Sequence, residues 1–138
     1  DKVFEALLHD KNDFSVVVDG SWEKLWKQRM KNPFDDVETL KIKDENIIEL
    51  GKKPTSYEEV QGQFIGLIKI SKRVLRRVID YYETLDRGKI YDGKDFDNMD
   101  MTSFIQLVID NLLEVKPVYI DGGWVEIDSI SDLKSIAV

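Results

Sequence analysis

The chain has 138 residues and carries 20 lysines and arginines against 27 aspartates and glutamates, a formal net charge of −7. This acidic balance argues against a general nucleic-acid binder, whose phosphate contacts require a basic face. The absence of cysteine excludes disulfides, thiolate zinc sites and cysteine nucleophiles. The single histidine, His9, cannot form a multi-histidine metal site, and we expect it on the surface of a helix.

Composition predicts one folded unit. Hydrophobic residues make up 42% of the chain, enough for a packed core, and no repeat or Pro/Gly/Ser-rich linker divides residues 1–138. No apolar run approaches the roughly 20 residues of a membrane span, and no signal peptide is visible. We therefore expect a cytoplasmic protein without membrane contacts. Because the first residue is Asp1 rather than methionine, we also expect a piece of a longer protein.

The chain opens with a predicted buried strand and a helix. Residues 14–18 form a β-branched run that Asp19 and Gly20 stop, which predicts a strand followed by a turn. Ser21 can cap the helix that follows. The apolar face of that helix carries Trp22, Leu25, Trp26 and Met30.

A hairpin and a glycine-flanked strand come next. Residues 38–43 and 46–50 predict two strands joined by a polar turn. Residues 63–70 predict another strand, with Gly62 before it and Gly66 inside it. Glycine in a strand marks either a bulge or the close approach of a ligand or another backbone, and the pattern leaves both open.

Two longer helices are predicted in the second half. The first begins after Ser71 and runs to about residue 86. Ser103 and Gln106 have capping-box spacing and open the second, which is apolar on most sides and therefore predicted to be buried. The apolar positions of the first helix are Val74, Leu75, Val78, Ile79, Tyr82 and Leu85.

The chain ends with two short predicted strands and a helix. Residues 118–120 and 124–128 read as strands separated by a turn at 121–123, and Ser129 with Asp132 has capping-box spacing for a last helix. Strands and helices alternate along the whole chain. The predicted class is therefore α/β, with a mixed sheet and flanking helices.

Two segments could carry chemistry. In a strand over 124–128, Trp124, Glu126 and Asp128 share one face, and two carboxylates at a strand end suit Mg²⁺. The same alternation is typical of a half-exposed strand with a polar outer face. Lys53, next to Pro54, could aim its ammonium at a phosphate, and a solvated turn is the alternative interpretation.

Taken together, four stretches resemble the later part of nucleotidyltransferases of the sugar-phosphate and phosphocholine cytidylyltransferase kind. The resemblance covers nearly all 138 residues and implies the C-terminal portion of a Rossmann-like domain of the glycosyltransferase-A type. It implies an enzyme that joins an NTP to a phosphorylated sugar, choline or related acceptor and releases pyrophosphate. The stretches are residues 16–19 with Trp22 and Trp26, residues 48–54, residues 58–67, and residues 123–129 with Asp132 and Leu133.

The resemblance also implies roles for individual residues. Asp128 looks like one of two Mg²⁺ ligands, and Lys53 resembles the lysine that reaches the acceptor phosphate. Many relatives carry Glu before that lysine, where this chain has Lys52. The residues assigned to substrate binding are Gly62, Gln63 and Gly66 on the floor of the acceptor pocket, with Trp124 and Glu126.

The family's opening elements are missing from the sequence. Such enzymes begin with a strand and a glycine-rich loop that cradles the triphosphate, and later carry the other metal-binding Asp. We therefore expect the 138 residues to be inactive alone. We expect them to be completed by the missing N-terminal half of the domain or by self-association. The alternative is a non-catalytic interaction or regulatory module derived from the same fold.

Overall fold

The computed structural model describes residues 1–24 and 36–136. Short 3₁₀ turns cover Tyr57–Glu59 and Phe96–Asn98. Among the described helices, none combines the length and the apolar character needed to cross a membrane. The principal elements are α1 (Lys2–His9), β1 (Phe14–Asp19), β2 (Leu40–Lys43), β3 (Asn46–Leu50), β4 (Gln63–Ile70), α2 (Lys72–Thr84), α3 (Met101–Asn111), β5 (Lys116–Ile120) and α4 (Ile130–Ile136).

β1 is the middle strand of a three-stranded mixed sheet. It pairs antiparallel with β4 on one side and parallel with β5 on the other. All six of its residues are buried, because neighbouring strands flank it and apolar clusters cover both faces. Val16 and Val18 join the main core with α3, whereas Val17 packs against α1. The predicted buried strand and the mixed sheet with flanking helices are confirmed, and His9 is exposed on α1 as predicted.

β2 and β3 form a separate antiparallel hairpin. Its turn residues, Asp44 and Glu45, have φ angles of 51° and 63°, the left-handed conformation that tight hairpin turns of type I′ require at both central positions. Backbone hydrogen bonds from Thr39 to Lys52 (2.8 Å) and from Gly51 to Thr39 (3.0 Å) continue the pairing beyond the strands. The predicted hairpin is confirmed, and its open end leads into Lys53.

A bulge interrupts the pairing of β4 with β1. Val16 pairs with Ile68 and Val18 with Phe64, so β4 uses two more residues than β1 over the same stretch. Gly66 lies within the bulge at a φ of 85°, which side chains rarely adopt. The predicted strand over 63–70 is confirmed.

α2 matches its prediction in part, and so does the helix predicted after Ser21. α2 ends at Thr84 rather than near residue 86, and only Val74 and Val78 of its apolar face are buried. Residues 22–24 are helical and Trp22 is buried. The rest of that predicted helix, including Leu25, Trp26 and Met30, lies outside the described residues.

The predicted start of α3 is wrong. Asp100 occupies the N-cap, so Ser103 lies inside the helix and is buried. Gln106 does not complete a capping box. Its side-chain carbonyl instead accepts from the Leu50 amide (3.0 Å) and its NH₂ donates to the Ile48 carbonyl (3.1 Å). The carboxylate of Asp100 bonds to Lys94 and not to the helix amides, so the start of α3 has no side-chain cap. The predicted capping box does not form because Gln106 is taken up by the backbone of β3.

The predicted strand over residues 124–128 is also wrong. Gly122 and Gly123 turn the chain with φ angles of 64° and 83°, and the following residues belong to no helix or strand of the described structure. The hydrogen bonds of this segment go to side chains instead of a ladder, at Asp19 and Asp132. The predicted capping box of the last helix is confirmed, because Ser129 and Asp132 bond each other reciprocally.

Candidate functional site

A cleft opens beside the carboxyl ends of the parallel strands β1 and β5. It encloses about 220 Å³ and lies between the start of β4, the open end of the β2–β3 hairpin and the segment after β5. In sheets of this kind the carboxyl ends of parallel strands are the usual place for a ligand. The lining includes Asp36, Glu38, Thr39, Gln63, Phe64, Glu126 and Asp128.

Six of the seven residues assigned to the site from the sequence line this cleft or one of two cavities beside it. Gln63, Glu126 and Asp128 line the main cleft. Lys53 lines a neighbouring cavity of about 250 Å³ that shares Asp36, Glu38 and Gly51 with the cleft. Gly66 and Trp124 line a third cavity of about 350 Å³, to which Gln63 and Glu126 also contribute.

Gly62 has a different environment. A Cβ added there would lie 2.3 Å from Cγ1 of Val18 and 3.3 Å from the Asp19 carbonyl oxygen. The glycine therefore permits β4 to approach β1. Gly66 by contrast faces open space, with nothing within 4 Å of an added Cβ. Of the two interpretations of these glycines, the bulge applies at Gly66 and the close backbone approach at Gly62.

Carboxylates dominate the cleft. Besides Glu126 and Asp128, the lining contains Asp36 and Glu38, which sequence reasoning missed. Burial of its carboxyl group raises the pKa of Glu38, and the nearby charges of Asp100 and Asp36 raise it further. Glu38 is an exposed residue, but its carboxyl group is partly shielded from water and lies near other negative charges. A cation in the cleft would relieve that repulsion.

One carboxylate holds the first half of the loop that joins Lys53 to Gly62. Glu59 accepts from the Thr55 amide (2.5 Å), the Thr55 hydroxyl (3.0 Å) and the Ser56 amide (3.2 Å). These bonds, with an ion pair to Lys41, lower the pKa of Glu59 to about 2. Hydrogen bonds to Glu59 and Glu49 correspondingly raise the pKa of Lys41. The network fixes the loop that carries the predicted phosphate-binding lysine.

Asp19 lies at a predicted turn and in the first stretch of the family resemblance, but the sequence assigns it no role in the site. It is 1% exposed and accepts from the Ser21 amide (2.8 Å), the Gly122 amide (3.1 Å) and the indole N–H of Trp124 (2.7 Å). A carboxylate that directly ends a buried β-branched run is an unusual pattern, since buried carboxylates need partners. That signal could have identified it.

The donor chemistry of the cleft fits a hard divalent cation. Asp128 contributes carboxylate oxygens, the ligand type that Mg²⁺ prefers. Within residues 1–24 and 36–136, no three His, Asp or Glu side chains form a cluster that could hold a metal ion by themselves. The family resemblance likewise assigns only one of two metal ligands to this part of the domain.

A known protein is similar to nearly the whole chain. The CTP:phosphoglutamine cytidylyltransferase of Campylobacter jejuni subsp. jejuni serotype O:2 is 50% identical over 130 residues, which cover 94% of this chain and 51% of that protein. The chain thus spans about half the length of its relative. No protein-family model matches the chain. The predicted resemblance to cytidylyltransferase-like nucleotidyltransferases is confirmed.

Proposed function

We propose that this chain supplies the acceptor pocket and one Mg²⁺ ligand of a nucleotidyltransferase that joins CTP to a phosphorylated acceptor and releases pyrophosphate. The observation that carries the proposal is the convergence of Gln63, Glu126 and Asp128 on one acidic cleft, with Lys53 on the adjoining cavity. These residues come from segments far apart in the sequence, and all lie in the part of the chain that is similar to a cytidylyltransferase.

The chemistry needs positioning and charge neutralisation rather than a side-chain nucleophile. A phosphate oxygen of the acceptor attacks the α-phosphorus of the nucleotide, the bond to the β-phosphate bridging oxygen breaks, and pyrophosphate leaves. Lys53 would hold the acceptor phosphate against the repulsion between the two anions. A divalent ion, held at Asp128 when bound, would supply neutralisation of the nucleotide phosphates.

The cavity beside the β4 bulge is the proposed acceptor pocket. Gly66 lies in the wall of this cavity and leaves space there because it has no side chain. The cavity is also lined by Trp124, Glu126 and Gln63. The relative's name designates phosphoglutamine as its acceptor, and we propose this compound as the first acceptor to test here. Hexose phosphates and phosphocholine are the other acceptors that the resemblance implies, and they form the comparison arms of the same screen.

A second proposal concerns what completes the domain. The sheet face beneath α1 is only partly covered, since Ile65, Leu67, Val118 and Ile120 remain half-buried. Both β4 and β5 are edge strands of the described sheet, and proteins normally cover such edges. We propose that further strands and helices of the domain, corresponding to the rest of the relative's length, pack here. Light scattering of the isolated 138 residues tests this, because a stable, inactive monomer without self-association would contradict it.

The decisive experiment uses the intact polypeptide that contains this chain. Pyrophosphate release is measured with each NTP paired with phosphoglutamine, hexose phosphates and phosphocholine, with Mg²⁺ titrated. We expect Asp128→Asn to lower kcat by about 10²- to 10³-fold and to weaken the Mg²⁺ dependence. Asp97→Asn, an exposed carboxylate of the Phe96–Asn98 turn, is the matched control. No turnover by the wild-type protein with any pair would favour the non-catalytic module.

A further inference from the structure

We infer that Asp19 is a positioning residue. Together with Asp132 it anchors the two ends of the segment of residues 122–129 by hydrogen bonds. This anchoring places Glu126 and Asp128 in the cleft. The catalytic consequence rests on the proposed function, whereas the anchoring itself rests on geometry alone.

The front anchor is built into the fully buried central strand of the sheet. Asp19 ends β1, which is buried along its whole length between β4 and β5. One carboxylate oxygen accepts from the Ser21 and Gly122 amides, and the other accepts from the indole N–H of Trp124 at 2.7 Å. Hydrogen bonds to a buried carboxylate are strong, so the start of the segment is fixed to the sheet.

The rear anchor belongs to α4. One oxygen of Asp132, a residue 9% exposed, accepts from the Asp128 amide (3.1 Å), the Ser129 amide (2.9 Å) and the Ser129 hydroxyl (2.9 Å). Between the two anchors the backbone is in neither helix nor strand, yet Glu126 and Asp128 both reach the cleft. Bonds made at both ends of the segment therefore contribute to the position of these two side chains.

An amide cannot replace the carboxylate of Asp19. Both oxygens face donors, so Asp19→Asn must turn its NH₂ toward a donor. One carboxylate oxygen accepts from two backbone amides, so the carbonyl of the new asparagine should stay at that position. Its NH₂ then faces the indole N–H of Trp124, and two donors cannot bond to each other. The variant should therefore release Trp124 selectively. Trp124→Phe removes the same bond from the other side and keeps an aromatic ring at the position.

The test uses the intact polypeptide and measures amide hydrogen exchange of peptides spanning residues 122–129. We expect Asp19→Asn and Trp124→Phe each to accelerate exchange there by about 10- to 100-fold, the equivalent of one lost charge-assisted hydrogen bond. The matched control is Asp10→Asn, which removes a carboxylate bonded to Ser15 and Lys69 near the opposite end of β1. It should leave exchange in the segment unchanged.

Kinetics with CTP, phosphoglutamine and Mg²⁺ complete the test. We expect Asp19→Asn to lower kcat by on the order of 10²-fold, as displaced catalytic groups do, with the KM for CTP changed much less. The effect of Asp19→Asn should shrink in the Trp124→Phe background, because the bond is already absent. Asp10→Asn should retain wild-type kcat.

The outcomes are separable. Unchanged exchange in both variants would overturn the anchoring, and faster exchange with wild-type kcat would overturn the positioning role. If Asp19→Asn does not fold, hydrogen exchange in Trp124→Phe decides the anchoring, and the kcat of Asp132→Ala, which removes the rear anchor, decides the positioning role. A wild-type polypeptide without turnover would contradict the proposed function but not the anchoring, which the exchange measurement tests without substrate.

Discussion

Gly62 offers the sharpest test of how β4 is seated against β1. Its φ lies outside the left-handed region, so the need for glycine is steric. A methyl group at this position would lie 2.3 Å from Cγ1 of Val18, whereas carbon atoms pack at about 3.5–4.0 Å. Val18 is fully buried in the main core and cannot move aside without displacing its neighbours. We expect Gly62→Ala to lower the free energy of unfolding by about 2–3 kcal/mol, as overpacking of cores does.

The companion substitution Val18→Ala isolates this contact. Alone it should cost about 2–3 kcal/mol, through lost burial and a small cavity. In the double variant the new methyl takes the place of the missing Cγ1, so the two losses should not add. We expect a favourable coupling energy of about 1–3 kcal/mol, measured by urea denaturation followed by circular dichroism.

Gly66→Ala is the matched control within the same strand. The added methyl group meets open space, and the substitution is costly only because the φ of this position is 85°. Its loss of free energy of unfolding should therefore add to that of Val18→Ala without coupling. The steric explanation is refuted if Gly62→Ala proves as stable as the wild type. It is also refuted if Gly62→Ala costs as much free energy of unfolding in the Val18→Ala background as it does alone.

Three further predictions concern side chains around the cleft. Because the pKa of Glu59 is lowered to about 2 from 4.5, its bonds contribute stability above pH 4.5 that is lost as the pH falls toward 2. When denaturation is measured between pH 4.5 and 2, the free energy of unfolding of Glu59→Gln should fall less steeply with pH than that of the wild type. The exposed control Glu58→Gln should behave like the wild type. Lys53→Gln should raise the KM for the phosphorylated acceptor or lower kcat by about 10²-fold, whereas Lys52→Gln, which removes an exposed ion-pair partner of Glu49, should do much less in the same steady-state assay. Gln106→Ala should cost about 1–3 kcal/mol in urea denaturation, because it leaves backbone groups of β3 without their partner.

Local sequence patterns predicted the elements whose signal is local. The β-branched run of β1, the polar turn of the hairpin and the capping box of Ser129 and Asp132 are each encoded within a few residues, and all are confirmed. The start of α3 was missed because Gln106 is occupied by β3, a partner 56 residues away in sequence. Spacing along the chain carries no information about such a partner.

The segment around Trp124 shows a second limit. Its alternation of apolar and charged residues is typical of a strand, but the segment follows a turn at Gly122 and Gly123 and joins no strand of the described sheets. The segment instead bonds to Asp19, which lies 103 positions before Gly122. Of the candidate residues, Gln63, Glu126 and Asp128 line one cleft, and their roles there stay predictions. The carboxylates of Asp36 and Glu38 were missed, since nothing near them in the sequence indicates which cavity they line.

The placement of β1 has a consequence for biosynthesis. The parallel partner of β1, β5, leaves the ribosome only after about a hundred further residues have been added, roughly five to twenty seconds later at ordinary elongation rates. During that interval the run Val16-Val17-Val18 has no parallel neighbour and is a hydrophobic, β-prone stretch open to wrong partners. The nascent chain should therefore depend on chaperone shielding until β5 has been translated.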